Sequence, residues 1–217
     1  MTEIFSEIDD ELRRERLRKI WERYSAAIVG AAVLVVLAVG AWQGYEWWSA
    51  KQADEAGSAF EQAAQLATEG KHAEAEAAFT KLAATAPAGY RTLARLRAAA
   101  EATARDPKAG VPLYDAIAAD GSVDAASRDL ARIRAASLLV DQASYADMLT
   151  RLEAATDATA TYHHTARELL ALSAWRTNDI AAARKWLDMI AADDTTPPSL
   201  RQRAEAIQAL LPPVAPS

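Results

Sequence analysis

Residues 70–87 read GKHAEAEAAFTKLAATAP, and the spacing within them decides the fold. Gly70 supplies a turn, Ala75 and Phe79 stand four residues apart, and Pro87 closes the segment. A spacing of four puts the alanine and the ring on one face of a helix. The small side chain lets a facing helix come close, and the ring fills the space beside it. The pattern predicts a helix over 54–68, a turn at Gly70, and a second helix over 73–84 packed back on the first.

Outward from this segment, turn signals recur at Asp106-Pro107, Gln142-Ala143 and Asn178-Asp179, close to 36 residues apart. In NDIAAARKWLDMIAADD (178–194), Ala183 and Leu187 take the places of Ala75 and Phe79. The second unit, DPKAGVPLYDAIAAD (106–120), is weaker, with Gly110 and Tyr114 in those places and Pro112 near a helix start, where proline is tolerated. The third fits least well, with Met148 and Leu152. A sustained interval of this length is the signature of tetratricopeptide-like helix pairs. Pro197-Pro198 then opens a last helix over 199–211, expected to cover the open apolar end of the stack. Composition agrees, because alanine dominates while glycine and proline are held to 8 each, and alanine is the best helix former. The expectation is an all-α chain. A solenoid of about four tetratricopeptide-like pairs with a C-terminal capping helix occupies residues 53–211, and the tail PPVAPS (212–217) is disordered.

Ahead of the repeats, Ala26 to Trp42 reads AAIVGAAVLVVLAVGAW, 17 residues without a charge. At helical rise this is about 26 Å, near the lower limit for crossing a hydrocarbon core. Trp21 and Tyr24 precede the run, and Trp42, Tyr45, Trp47 and Trp48 close it, an aromatic belt on both sides. Arg13, Arg14, Arg16, Arg18, Lys19 and Arg23 lie before it, whereas the twenty residues after Trp42 hold only Lys51. That bias places the N-terminus in the cytoplasm and the repeats in the periplasm. A cleaved signal peptide is the rival reading. The acid-rich N-terminal region and the length of the apolar run favour an uncleaved anchor over 25–48. Residues 1–24, with Phe5, Ile8, Leu12, Leu17, Ile20, Trp21 and Tyr24 between charges, read as a cytoplasmic amphipathic tail. Its basic cluster suits anionic headgroups. Within the span, Ala27, Gly30 and Ala31, and Gly40 with Gly44, are small residues through which a partner helix could pack.

The net charge of −6 and the lack of a basic stripe argue against nucleic-acid binding. Absence of cysteine excludes disulfides and thiolate metal sites. The histidines are His72, His163 and His164, and neighbours on a helix point about 100° apart, a poor ligand pair. There is no glycine-rich phosphate loop, HExxH or GxSxG. No catalytic residue, metal ligand, cofactor or small-molecule substrate is therefore assigned, and an enzyme is not expected. Surface remains. The first helix of each pair lines the concave side of a solenoid, which nominates Phe60, Arg95, Ile133, Glu168, Leu172, Trp175 and Arg176 as a partner-binding groove. The alternative for Ile133, Leu172 and Trp175 is ordinary packing between helices.

Three stretches carry a family likeness: IFSEIDDELRRERLRKIWERYSAAIVG (4–30), GKHAEAEAAFTKLAATAP (70–87) and PLYDAIAADGSVDAASRDLARIRAASLLVD (112–141). Together with the span they resemble the ancillary subunits of the bacterial Sec translocon, the last stretch resembling the alphaproteobacterial branch. The resemblance implies an inner-membrane protein with a periplasmic repeat domain, partnered by translocon subunits and by a membrane-anchored periplasmic chaperone of the prolyl-isomerase family. It implies no catalytic residue. The functional expectation is a scaffold that helps handle exported proteins, the alternatives being a repeat scaffold of another envelope or division assembly, or an undetected enzyme.

Overall fold

A computed structural model describes the backbone of residues 3–212, with side chains from residue 18 onward save 19, 20 and 28. Every regular element among them is helical. The chain forms two units, residues 1–52 and residues 53–217.

Helix α1 runs from Glu3 to Thr68 and contributes to both units. The sequence reading starts a new helix at residue 54; in the structure α1 continues through it. The reason is local, since residues 43–53 hold no proline and one glycine, Gly44, whose cost in a helix is about 1 kcal/mol. In the first unit, each described side chain from Ala26 to Trp42 is exposed, and this part of α1 is apolar and long enough to cross a membrane. Trp21, Tyr24, Trp42, Tyr45, Trp47 and Trp48 are exposed too. The tail's apolar positions Phe5, Ile8, Leu12, Leu17 and Ile20 lie outside the described side chains, and residues 213–217 of the tail outside the described chain.

The second unit pairs the end of α1 with α2 (His72–Thr85), α3 (Ala88–Arg105) with α4 (Pro107–Ala118), α5 (Ala125–Leu139) with α6 (Tyr145–Leu152), and α7 (His163–Arg176) with α8 (Ile180–Ala191), followed by α9 (Pro198–Leu210). A 3₁₀ turn, Glu153–Thr156, extends α6. Two of the turns inside pairs are built alike. Gly70 and Asn178 both take positive φ, 76° and 61°, which lets the chain reverse after a helix. In each, the next amide donates five residues back, Lys71 N–H to Leu66 O at 2.9 Å and Asp179 N–H to Ala174 O at 2.8 Å. Side-chain caps start four of the later helices: Asp106, Asp124, Ser144 and Asp179 accept from the first-turn amides of α4, α5, α6 and α8.

The pair of positions four residues apart is buried in every second helix, with a large residue, Met148, at the first of them in the third unit. Ala75 and Phe79, Met148 and Leu152, and Ala183 and Leu187 are all fully buried, and Gly110 and Tyr114 are buried as well. Thus the third unit, the poorest sequence match, buries these two positions as fully as the first. Pro112 differs from expectation. Because α4 begins at Pro107, Pro112 sits in the helix interior. Its missing N–H withdraws a donor from the carbonyl of Lys108, which is exposed and open to water.

Candidate interaction surface and histidine cluster

The groove positions reach the structure with different attachments. Phe60, half-buried on α1, sets its ring edge-on to Phe79 at 5.1 Å and near Tyr90 at 6.3 Å. Arg95 donates to Asp120 Oδ2 at 2.6 Å and to the Ala116 carbonyl at 3.3 Å, tying α3 to the end of α4. The Ser122 hydroxyl foremost, and then the Arg95 guanidinium, hold the Asp120 carboxyl well below the usual carboxylate range. Ile133 is 5% exposed, in the same buried cluster as Met148 and Leu170, so it packs between helices. On α7, Glu168, Leu172, Trp175 and Arg176 share a face. Glu168 takes both bonds of a bidentate pair with Arg203 of α9, at 2.7 and 2.9 Å. Leu172 is half-buried, Trp175 packs partly on the core beneath it, and exposed Arg176 donates to the carbonyls of Val140 (2.9 Å) and Ala143. The structure therefore gathers the four α7 residues, while Phe60, Arg95 and Ile133 belong to other pairs.

In the first unit, Ala27, Gly30, Ala31, Gly40 and Gly44 are exposed. A Cβ added at Gly30, Gly40 or Gly44 would meet nothing within 4 Å. Nothing inside the described chain uses the room these glycines leave.

Sequence reasoning missed two features. One is a cleft of about 550 Å³ between α4, α5 and α6, with Asp115, Arg132, Leu139, Met148 and Arg151 in its wall and an Asp115–Arg151 ion pair across it. No motif marks it, because its wall comes from two neighbouring pairs.

The other corrects the reading of the histidines. His163 and His164 open α7, and their rings lie 3.8 Å apart, both turned toward Asp193 in the α8–α9 connection. The 100° between successive helix positions is overcome because that connection lies across the start of α7 and holds each ring. His163 Nδ1 is 2.6 Å from the Ala160 carbonyl, and its Nε2 is 3.2 Å from Asp193 Oδ2. His164 lies between the hydroxyls of Thr195 (3.3 Å) and Thr196 (3.2 Å). Burial, and then the neighbouring His163, push His164 below the ordinary histidine range. Asp193 also accepts from buried Arg167 at 2.8 Å and from the Thr195 hydroxyl and amide; the Thr195 hydroxyl foremost holds it well below the carboxylate range. His72 stands apart, its Nδ1 2.8 Å from buried Glu101 across α2 and α3.

A family model described as a tetratricopeptide repeat-like domain matches residues 18–184, taking in the apolar run and the helix pairs up to the first turns of α8. No curated protein and no solved structure matches the chain.

Proposed function

We propose that this chain, which belongs to the tetratricopeptide repeat-like domain family, is a non-enzymatic scaffold anchored in a bacterial inner membrane that holds periplasmic folding factors beside the Sec translocon. Repeats of this kind are protein-interaction scaffolds, and the second unit has their construction.

The observation that carries the proposal is the exposure of the apolar run. A core helix of a soluble protein would bury such residues, yet from Ala26 to Trp42 every described side chain is exposed, within a segment the family match includes. Left in water, that surface would far exceed the exposed apolar patches that monomeric proteins tolerate. A bilayer removes the conflict. The excess of arginine and lysine before the run then sets the N-terminus in the cytoplasm and the repeats in the periplasm. The translocon and a membrane-anchored chaperone enter through the likeness of residues 4–30, 70–87 and 112–141 to ancillary translocon subunits. Glu168, Leu172, Trp175 and Arg176 supply a docking face on the last repeat pair, with Phe60, Arg95 and Ile133 at the corresponding places of the earlier pairs.

Site-specific photo-crosslinking in intact cells tests this. Probes at Gly30 and at Leu172 are expected to capture translocon subunits and a periplasmic chaperone, respectively. Capture of division or envelope-assembly proteins instead would replace the translocon assignment. A periplasm-dependent phosphatase fused after Leu211 is expected to be active and one fused after Trp21 silent; the opposite pattern would overturn the topology.

A further inference from the structure

We propose that His163, His164 and Asp193 form a binding site for a divalent transition-metal ion of the zinc class. One ligand atom from each residue lies within 4.8 Å of the other two. Asp193 Oδ2 is 3.2 Å from His163 Nε2 and 3.8 Å from His164 Nδ1. Atoms bound to one zinc ion at about 2.0–2.2 Å stand a little over 3 Å apart, so Asp193 already stands near the required distance from each ring, and the cluster closes on an ion by contraction.

The hydrogen bonds around the cluster point its lone pairs inward. With 2.6 Å between His163 Nδ1 and the Ala160 carbonyl, the ring proton belongs on Nδ1. In the neutral ring the Nε2 lone pair then faces a carboxylate oxygen, an acceptor against an acceptor, and a bound cation would join the two in place of a second ring proton. A backbone carbonyl fixing the far nitrogen is the usual outer support of a metal-binding histidine. The Thr195 hydroxyl donates to Asp193 Oδ1 at 2.6 Å and so can accept the His164 ring proton from Nε2 at 3.3 Å, while the Thr196 hydroxyl donates to the Ile190 carbonyl at 2.8 Å, which leaves the Nδ1 lone pair without a donor. The three side chains are 11%, 14% and 16% exposed, shielded yet reachable, and three protein ligands leave a position for water.

Arg167 sets the affinity and the selectivity. Its guanidinium is 2.8 Å from Asp193 Oδ2 and donates also to the Thr156 carbonyl at 3.1 Å, so it orients the carboxylate while cancelling its charge. Hard cations that depend on carboxylate charge, Mg²⁺ and Ca²⁺, gain little here. Ions that bind imidazole well, Zn²⁺, Ni²⁺ and Cu²⁺, are favoured. Bound metal would join the start of α7 to the connection that leads into α9.

The test uses the tag-free full chain in detergent micelles. Zinc at micromolar concentration is expected to raise the melting temperature, with Mg²⁺ and Ca²⁺ without effect, and Co²⁺ is expected to give a visible absorption band that zinc displaces. His164→Gln removes a direct ligand and is expected to weaken metal binding by more than the roughly 10- to 100-fold that loss of a mere supporting group costs, and His72→Gln to leave it unchanged. Absence of both the zinc shift and the cobalt band in the native protein would overturn the site, whatever the variants do. So would full zinc affinity in a folded His163→Gln/His164→Gln double variant.

Discussion

Thr103 fills the space that a side chain on Gly110 would need. A Cβ built on Gly110 comes within 1.9 Å of Thr103 Oγ1, 3.0 Å of Thr103 Cβ and 3.3 Å of the Ala99 carbonyl. The hydroxyl is itself committed, donating to that carbonyl at 2.8 Å. Here α3 and α4 approach so closely that even alanine, which serves at the equivalent positions 75 and 183, is too large.

Gly110→Ala is accordingly expected to destabilise the repeat unit by about 1–3 kcal/mol, the usual cost of overpacking. Rotating Thr103 away would not relieve it, because Thr103 Cβ would still crowd the new methyl group. Denaturant unfolding of the full chain in micelles, followed by circular dichroism, reads this. A loss below about half a kcal/mol, the size of an ordinary surface change, would mean that the two helices separate freely.

Phe79 and Met148 test whether the first and third pairs are equally built. Both are fully buried, and Phe79 carries Phe60 against its ring. Phe79→Ala is expected to cost about 3–5 kcal/mol and Met148→Ala about 2–5 kcal/mol. If Met148→Ala were neutral, the third pair would be a loose connection and not a repeat.

These residues also mark how far the sequence could be read. The turn and the i, i+4 pair are local features, so the four helix pairs were legible from residues such as Gly70, Ala75 and Phe79. Gly110 looked like a weak match, and its role emerges only from Thr103 on the neighbouring helix. The histidine cluster was illegible for the same reason. Asp193 lies thirty residues beyond His163, and helical geometry alone turns the two histidines apart. On the candidate surface, the shared face of Leu172, Trp175 and Arg176 follows from spacing. The attachment of Arg95 to Asp120 does not, because it depends on where the α4–α5 connection runs.

That attachment has a pH signature. Asp120 accepts from the Ser122 hydroxyl at 2.7 Å, the Ser122 amide at 2.9 Å and Arg95 at 2.6 Å, and its carboxyl is held below its ordinary value. The folded value lies beneath the unfolded value of about 3.9. The contribution is thus fully present above the unfolded value and is lost as pH falls through it toward the folded one. Asp124 and Asp157 are shifted in the same direction. The melting temperature is expected to hold between neutrality and about pH 5 on account of these groups and to drop below about pH 4. Asp120→Asn should melt lower than the native chain at pH 7, with the gap closing as acid is added. A gap that stays constant to pH 3 would show that Asp120 acts through shape alone.

Ser173 offers a change in the opposite direction. It is completely buried on α7, and its Oγ has no hydrogen-bond partner among the described residues. A buried hydroxyl without a partner is destabilising, and removing it can be neutral or favourable. Ser173→Ala should leave the repeat unit as stable as before or up to about 1 kcal/mol more so. A clear loss in denaturant unfolding would mean that the hydroxyl binds a water or a partner group.

Gly30 carries the last prediction, which separates recognition inside the membrane from recognition by the repeats. Between helices in lipid there is no hydrophobic drive, since the surrounding tails are as apolar as leucine, and contact depends on how closely backbones approach. Gly30, with Ala27 and Ala31 beside it, leaves such an approach open, and a Cβ on Gly30 meets nothing within 4 Å among the described residues. Gly30→Leu therefore costs the protein no packing of its own; it adds a branched side chain only where a partner helix would lie. The variant should insert normally and its repeat unit should unfold at the native denaturant concentration. Co-purification of the translocon with the detergent-solubilised protein should fall, and Gly40→Leu, nearer the aromatic belt, should have the smaller effect. A Gly30→Leu chain that retains its partners in full would assign recognition to the repeats or to residues 1–24. Small residues in the span would then reflect only the alanine-rich composition of the chain.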